Sequence, residues 1–344
     1  MAPKTSERSF TVGIEVTKRC NFKCRHCFVD AGKPRRHEAD TTEILAMLAE
    51  LRALGTTTLA WSGGEPLLRD DLEYLTSVAT GLGMQVGLVS NGFLATRERM
   101  DGLREAGLSV VQISLDGSTA RRAATFRQGP IAAFERAKQA VRHCVAAGIQ
   151  TYVCTLLAPE TAPEIDKMIH LARDLGAHGL RYAMWMPVGR ARGIPYDDRA
   201  WSSPAMGRLL DKLMRDDDPK GFRLLLDCPA GPWPGRPRFQ CTAGTSIAYI
   251  TADGNVYPCT ALMTPAYRLG NLYRTPLRVL LSGVGVQRIH EQRSRLKPHR
   301  TCAGCPVWDT CHGGCPGRTI AAEGSLTRGP GRGAMPACLL RLHR

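Results

Sequence analysis

Three cysteines near the start of the chain, Cys20, Cys24 and Cys27, stand in a C-x3-C-x2-C run. Thiolates so spaced on one tight loop can hold three irons of a [4Fe–4S] cube, leaving the fourth iron open to an outside ligand. An open iron implies chelation of a substrate or cofactor. Zinc is the alternative, but it wants a fourth protein ligand nearby and other cysteine spacings, and His26 sits awkwardly between two of the thiols. A second concentration lies far downstream, where Cys302, Cys305, Cys311 and Cys315 form a C-x2-C-x5-C-x3-C run. Its C-x2-C step is also a zinc spacing. There are 13 cysteines in 344 residues and no apolar signal core at the N-terminus, so metal or redox chemistry in a cytoplasmic protein is expected rather than structural disulfides.

Loops of this kind need elements to position them. Between residues 11 and 186, short β-branched runs alternate with amphipathic segments, predicting six strands at 11–17, 57–61, 85–90, 109–115, 149–157 and 180–186. Five helices are expected between them, at 42–54, 70–82, 96–106, 131–147 and 162–175. Such alternation argues for a parallel sheet, doubly wound or curled as a partial barrel, with ligands gathered at the carboxyl ends of the strands. The first cysteine run falls at one of those ends. Residues 191–239, rich in Gly, Pro and Arg around one helix at 204–214, are read as a bridge. Residues 240–344 are read as a small domain in which clusters replace a hydrophobic core.

Composition bounds the partners. Lys and Arg total 46 against 31 acids, a net charge of +15 that suits nucleic acid, an anionic membrane or an acidic substrate. No window approaches the roughly 18 apolar residues of a membrane span. Neither a groove-reading motif nor an aromatic stacking platform appears, and aromatics are only 6%. A zinc-stabilised, basic nucleic-acid-binding module therefore stands as the alternative to an enzyme.

The loop Cys20-Asn21-Phe22-Lys23-Cys24-Arg25-His26-Cys27 resembles the signature of the radical S-adenosylmethionine (SAM) superfamily, and the likeness continues along the chain. Gly63-Gly64-Glu65-Pro66 is similar to that family's GGEP motif, where the SAM amino group binds. Adjacent glycines let backbone approach a ligand and a carboxylate can receive an ammonium, though an ordinary Gly-Gly turn would look alike. Ser90-Asn91 and Ser114-Leu115-Asp116 resemble segments that line the ribose and methionine of SAM. Phe22 and His26 join the cofactor-binding residues that the likeness implies. The family often carries a His-Asp pair and then Arg; here Ala123-Ala124 replace the pair and Arg127 remains, a bidentate partner for the SAM carboxylate or a solvated surface arginine.

Downstream, Cys241, Cys259 and the 302–315 run, with Asp253-Gly254-Asn255 and Gly270-Asn271-Leu272, resemble the SPASM domain, an extension that carries auxiliary iron–sulfur clusters. By that resemblance Cys302, Cys305, Cys311 and Cys338 hold one auxiliary cluster, while Cys241, Cys259 and Cys315 supply three ligands to another, with Cys228 a candidate for the fourth. Cys144 and Cys154 fit no ligand pattern and read as small buried hydrophobes, although an inward-facing Cys154 could donate hydrogen to a substrate radical.

The resemblance thus implies a partial (β/α)6 TIM-like barrel over residues 10–190, a bridge over 191–239 and a SPASM domain over 240–344. It implies an oxidoreductase whose reduced [4Fe–4S] cluster splits SAM into methionine and a 5′-deoxyadenosyl radical for hydrogen abstraction. Two auxiliary iron–sulfur clusters favour an oxidative outcome. Expected partners are SAM, an electron donor such as flavodoxin or ferredoxin, and an acidic substrate. A ribosomal peptide, delivered by a separate leader-binding protein, ranks ahead of a tetrapyrrole side chain or an antibiotic sugar.

Overall fold

The computed structural model of the chain describes residues 10–32, 34, 37–194, 204–215, 218, 221–227, 240–298, 302–323 and 326. Strands and helices alternate from the start: β1 (Phe10–Thr17), α1 (Thr41–Ala53), β2 (Thr56–Gly63), α2 (Leu72–Gly81), β3 (Gln85–Ser90), α3 (Arg97–Glu105) and β4 (Leu108–Ser114). Then come α4 (Ala120–Ala124), α5 (Ala133–Ala146), β5 (Gln150–Leu157), α6 (Ile165–Asp174) and β6 (Gly179–Met184). Helix α1 shows why local sequence suffices here. Asp40 and Glu43 form a reciprocal capping box, and Ile44, Met47, Leu48 and Leu51 recur on one buried face.

Beyond β6 the pattern departs from expectation. The bridge holds not only α7 (Pro204–Arg215) but a strand, β7 (Arg223–Leu226), parallel to β6. Downstream, β8 (Ile247–Ile250) pairs parallel with β1, and β9 (Asn255–Tyr257) and β10 (Gly270–Asn271) follow antiparallel. The result is one ten-stranded sheet in the order β10-β9-β8-β1-β2-β3-β4-β5-β6-β7. The hairpin region of the expected C-terminal domain is therefore hydrogen-bonded into the barrel sheet. Four short helices complete the described chain: α8 (Leu277–Ser282), α9 (Val284–Ser294), α10 (Trp308–Cys311) and α11 (Pro316–Glu323).

The apolar core lies between the helices and the outer face of the sheet, with Trp61, Leu59, Leu88, Ile113, Val153 and Tyr182 among its buried members. The other face curls inward, since Ser62 of β2, Val89 of β3, Ser114 of β4, Cys154 of β5 and Ala183 of β6 all line one cavity. β7 and β8 end the parallel run without pairing to each other, so the barrel is open. No helix among the described residues is long and apolar enough to cross a membrane.

Candidate functional site

The cysteine loop leaves the carboxyl end of β1 and is held at its backbone from two sides. Lys23 N–H donates to Gln128 O at 2.8 Å and Arg25 N–H to Phe126 O at 2.9 Å, which ties the loop to the segment after α4. From beyond β6 comes Arg190, a residue that the sequence reading did not single out. Its backbone N–H donates to Cys27 O at 2.9 Å, its Nη1 to Cys24 O at 2.8 Å and its Nη2 to Ala31 O, while Nε pairs with Asp30 Oδ1 at 3.1 Å. Gly189 makes this approach possible: at φ +59°, any Cβ would lie 2.5 Å from Cys27 O. The chain carries 46 basic residues, so nothing local marks this one arginine.

The two glycines after β2 do similar work. Gly64 N–H donates to Thr17 O at 2.8 Å and Glu65 N–H to Arg19 O at 2.9 Å. A Cβ on Gly64 would fall onto the Arg19 carbonyl, so the glycines bring backbone against the root of the cysteine loop while also lining the cavity. Glu65 itself is wholly buried behind them. Its Oε1 accepts from Ser90 Oγ at 2.8 Å and Leu67 N–H at 3.1 Å, and its Oε2 from Asn91 N–H at 2.8 Å. Burial pushes its pKa up to about 6 against these hydrogen bonds, which lower it. The carboxylate expected to receive an ammonium is thus engaged in fixing the end of β3. Pro66 opens the short 3₁₀ turn that follows.

Asp116, Arg127 and His26 form the polar wall. Asp116 Oδ1 accepts from Leu156 N–H at 2.6 Å, and Oδ2 faces Arg127 Nε at 2.6 Å and His26 Nε2 at 3.4 Å. Arg127 Nη1 reaches Cys24 Sγ at 4.0 Å, so the arginine is a buried ion-pair partner and not a solvated one. Burial pulls the His26 pKa down to about 4 despite Asp116, leaving a neutral ring edge-on to Phe126 at 5.8 Å. Phe22 packs edge-on against Phe93 at 6.1 Å.

These groups surround a cavity of about 190 Å³ lined by Cys20, Cys24 and Cys27, with Gly63, Gly64, Ser90, Asn91, Ser114, Asp116 and Arg127 opposite. A second cavity of about 240 Å³ shares Phe22, Asn91, Ser114 and Arg127 with it. Two side-chain nitrogens at this site, His26 Nδ1 and Asn21 Nδ2, are buried without a hydrogen-bond partner, while Asp116 Oδ2 and Arg127 Nε are buried as each other's ion-pair partner. Three thiols on one loop beside two unpartnered side-chain nitrogens and a buried ion pair fit an iron–sulfur cluster facing a polar, charged ligand. Burial pushes the Cys20 thiol up to about 11, so loading with metal must release protons.

Of the remaining cysteines, Cys144 is buried in α5 as a small hydrophobe, with its thiol pushed up to about 12 by burial. Cys154 turns inward and lines the cavity. From β6 only Ala183 does so, because Tyr182 and Met184 belong to the outer core; just beyond the strand, Trp185 packs on Phe126. Downstream, Cys241 and Cys259 share one apolar cluster with Ala243, Leu262 and Ile289, and Cys315 interacts electrostatically with Cys241. Cys302 and Cys311 are buried, and Cys302 O accepts from Cys305 N–H at 3.0 Å. Cys228 and Cys338 lie outside the described residues. Among the described residues no three His, Cys, Asp or Glu side chains are gathered tightly enough for a single metal ion.

Residues 14–172 match the radical SAM superfamily, and residues 241–306 match an iron–sulfur cluster-binding domain, SPASM. The chain is 29% identical over 342 residues to an AdoMet-dependent heme synthase of Methanosarcina barkeri, covering 91% of this chain and 93% of that one. It is 28% identical over 315 residues to the mycofactocin maturase MftC of Mycobacterium tuberculosis, covering 88% and 76%. SuiB of Streptococcus suis, solved with S-adenosylmethionine bound, superposes with a TM-score of 0.76 at 16% identity over 96% of this chain and 78% of that one. With a partial barrel that presents three cysteines at its first strand end and a cysteine-rich extension in the same sheet, the chain belongs to the radical SAM superfamily, as an enzyme with a SPASM domain that uses a [4Fe–4S] cluster, SAM and auxiliary clusters.

Proposed function

We propose that Cys20, Cys24 and Cys27 hold the first cluster and that SAM lies across Gly63–Gly64, Ser90–Asn91, Ser114–Asp116 and Arg127, with Phe22 and His26 flanking it. The observation that carries this is the shared cavity, in which the three thiols face the buried Asp116–Arg127 ion pair and the unpartnered Nδ1 of His26. When bound and reduced, the cluster supplies one electron that cleaves SAM to methionine and a hydrogen-abstracting 5′-deoxyadenosyl radical.

The chain's own residues prepare that chemistry. Arg190 and the 126–128 segment fix the cysteine loop. Arg127, clamped by Asp116, sets a positive charge beside Cys24 and offers a guanidinium to a carboxylate. Neutral His26 adds no competing charge. We assign Cys302, Cys305, Cys311 and Cys338 to one auxiliary cluster, and Cys241, Cys259, Cys315 and Cys228 to the other.

The reaction in this reading is oxidation of a C–H bond on a side chain of an anionic substrate, consistent with the +15 charge. A tetrapyrrole bearing several carboxylate side chains stands first, supported by the heme synthase relative that aligns over nearly its whole length. A ribosomal peptide, with a separate leader-binding protein, is the second reading, favoured by the mycofactocin maturase relative.

The test is anaerobic incubation with SAM, dithionite and iron coproporphyrin III. The expected result is 5′-deoxyadenosine formed in step with a mass loss from the tetrapyrrole. Unaltered tetrapyrrole with a modified peptide from the neighbouring coding sequence would move the second reading to first. Brown protein that never cleaves SAM, or colourless zinc protein, would end both.

A further inference from the structure

Electrons must enter the first cluster from outside, and the surface over the cysteine loop has a marked character. Lys23 and Arg25, which alternate with the three cysteines, are exposed. Their backbone N–H groups bind the 126–128 segment, so the exposed face of α4 and the turn after it adjoin the loop. That face carries exposed Arg121 and Arg122. None of these four cations has a carboxylate partner among the described residues, although ion pairs are common elsewhere on the molecule. Neither residues 17–29 nor residues 117–134 contain a single Asp or Glu.

The neighbouring turn is apolar and open. Gly129, Pro130, Ile131 and Ala132 are consecutive exposed residues, and Ile131 is as accessible as in an extended peptide, at 105%. A run of four exposed apolar residues is unusual unless something covers it. Cations around a small apolar rib match the make-up of a transient protein interface, in which charge steers the encounter and a limited apolar contact holds it.

We propose that Lys23, Arg25, Arg121, Arg122 and the 129–132 rib form the docking surface for an acidic, one-electron carrier protein. The carrier passes one electron to the oxidised cluster and leaves oxidised by one electron. This rests on the assignment of the first cluster to Cys20, Cys24 and Cys27. Electron transfer falls off steeply with distance, so the loop that bears the ligands is the place where a carrier gains most by close approach. Gly129, Pro130 and Ile131 also border the second cavity, so the test must separate a carrier from a substrate at this face.

The experiment uses the reconstituted full-length enzyme, with fully reduced flavodoxin as the acidic probe and stopped-flow absorbance of the cluster as the readout. Wild-type reduction should slow as salt rises. Arg121→Glu/Arg122→Glu should lower the second-order rate about tenfold or more at low salt, with the gap closing near 0.5 M salt, where charges are screened within a few ångströms. Lys23→Glu/Arg25→Glu should behave alike. SAM cleavage driven by dithionite, which needs no docking, should be unchanged in the Arg121/Arg122 variant.

A wild-type rate insensitive to salt, or equal rates for wild type and variants, overturns the proposal. So does a loss shared equally by the dithionite reaction, or a change confined to substrate KM, which would mark the patch as a substrate surface. Absence of SAM cleavage in the wild type would instead sink the proposed function, while cluster reduction still reads the docking surface.

Discussion

At the scale of single residues, the site depends on side chains that hold other groups in place. Replacing Arg190 by Met removes charge-assisted hydrogen bonds to Cys24 O and Ala31 O. A loss of about 2 kcal/mol is expected, since the side chain is partly exposed. Iron at the first cluster should fall well below that of the wild type, measured as the iron-to-protein ratio after anaerobic reconstitution, while the C-terminal clusters persist. Undiminished loading would show that the loop keeps its shape without this clamp. Glu65 gives a pH signature. Burial raises its pKa from 4.5 to about 6, so the folded protein holds this proton more tightly than the unfolded chain does. Its contribution is complete below about pH 4.5 and is lost as pH rises through 6, on the order of 2 kcal/mol in all. Glu65→Gln should flatten that slope in urea denaturation between pH 4.5 and 7.5. It should also weaken the fold at the acid end by about 1–3 kcal/mol, because an amide offers one acceptor where three donors converge. The motif cysteines and glycines stand out in the sequence because their types and spacing are rare, whereas Arg127 rested on the family likeness alone, with a solvated surface arginine as the alternative. Arg190 could not be read from sequence, because its partners are backbone carbonyls that lie more than 150 residues away.

At the scale of elements, the helix and strand rhythm was legible wherever an amphipathic stretch ran long enough to show a period, as in α1 with its buried Ile44, Met47, Leu48 and Leu51. β7 was not, since four residues, Arg-Leu-Leu-Leu, show neither alternation nor helical spacing. The five-residue α4 is likewise too short for a pattern. The partner of β8 was hidden for another reason: its local sequence fixes a strand, while the choice of β1 is made across more than 230 residues. The junction of β2 with the cysteine loop makes a sharp prediction. Gly64→Ala would set a methyl group against Arg19 O and 2.7 Å from its carbonyl carbon. Backbone must move to admit it, at about 1–3 kcal/mol. The expected readout is a lower melting temperature together with partial loss of iron at the first site; an unshifted melting curve would mean that the turn opens freely.

At the scale of the whole molecule, the barrel and the cysteine-rich extension are joined by more than a linker. β8 lies beside β1, and Tyr249 from β8 packs over Gly13, stacks edge-on with Phe28 at 5.9 Å and approaches Ser62 Oγ at 3.3 Å. A chain stopped at residue 240 would strip β1 of a neighbour and leave its N–H and C=O groups open to other chains. Such a truncation should aggregate in light scattering and lose iron at the first site as well as the last; a monomeric, fully cleaving fragment would contradict this. One consequence concerns engineering. Because the tail contributes a strand to the very ribbon that launches the first cluster loop, it is not a detachable cassette. A chimera that borrows another enzyme's tail must bring a strand matched to Thr11–Ile14 in register, or the graft will loosen the metal loop at the opposite end of the sequence.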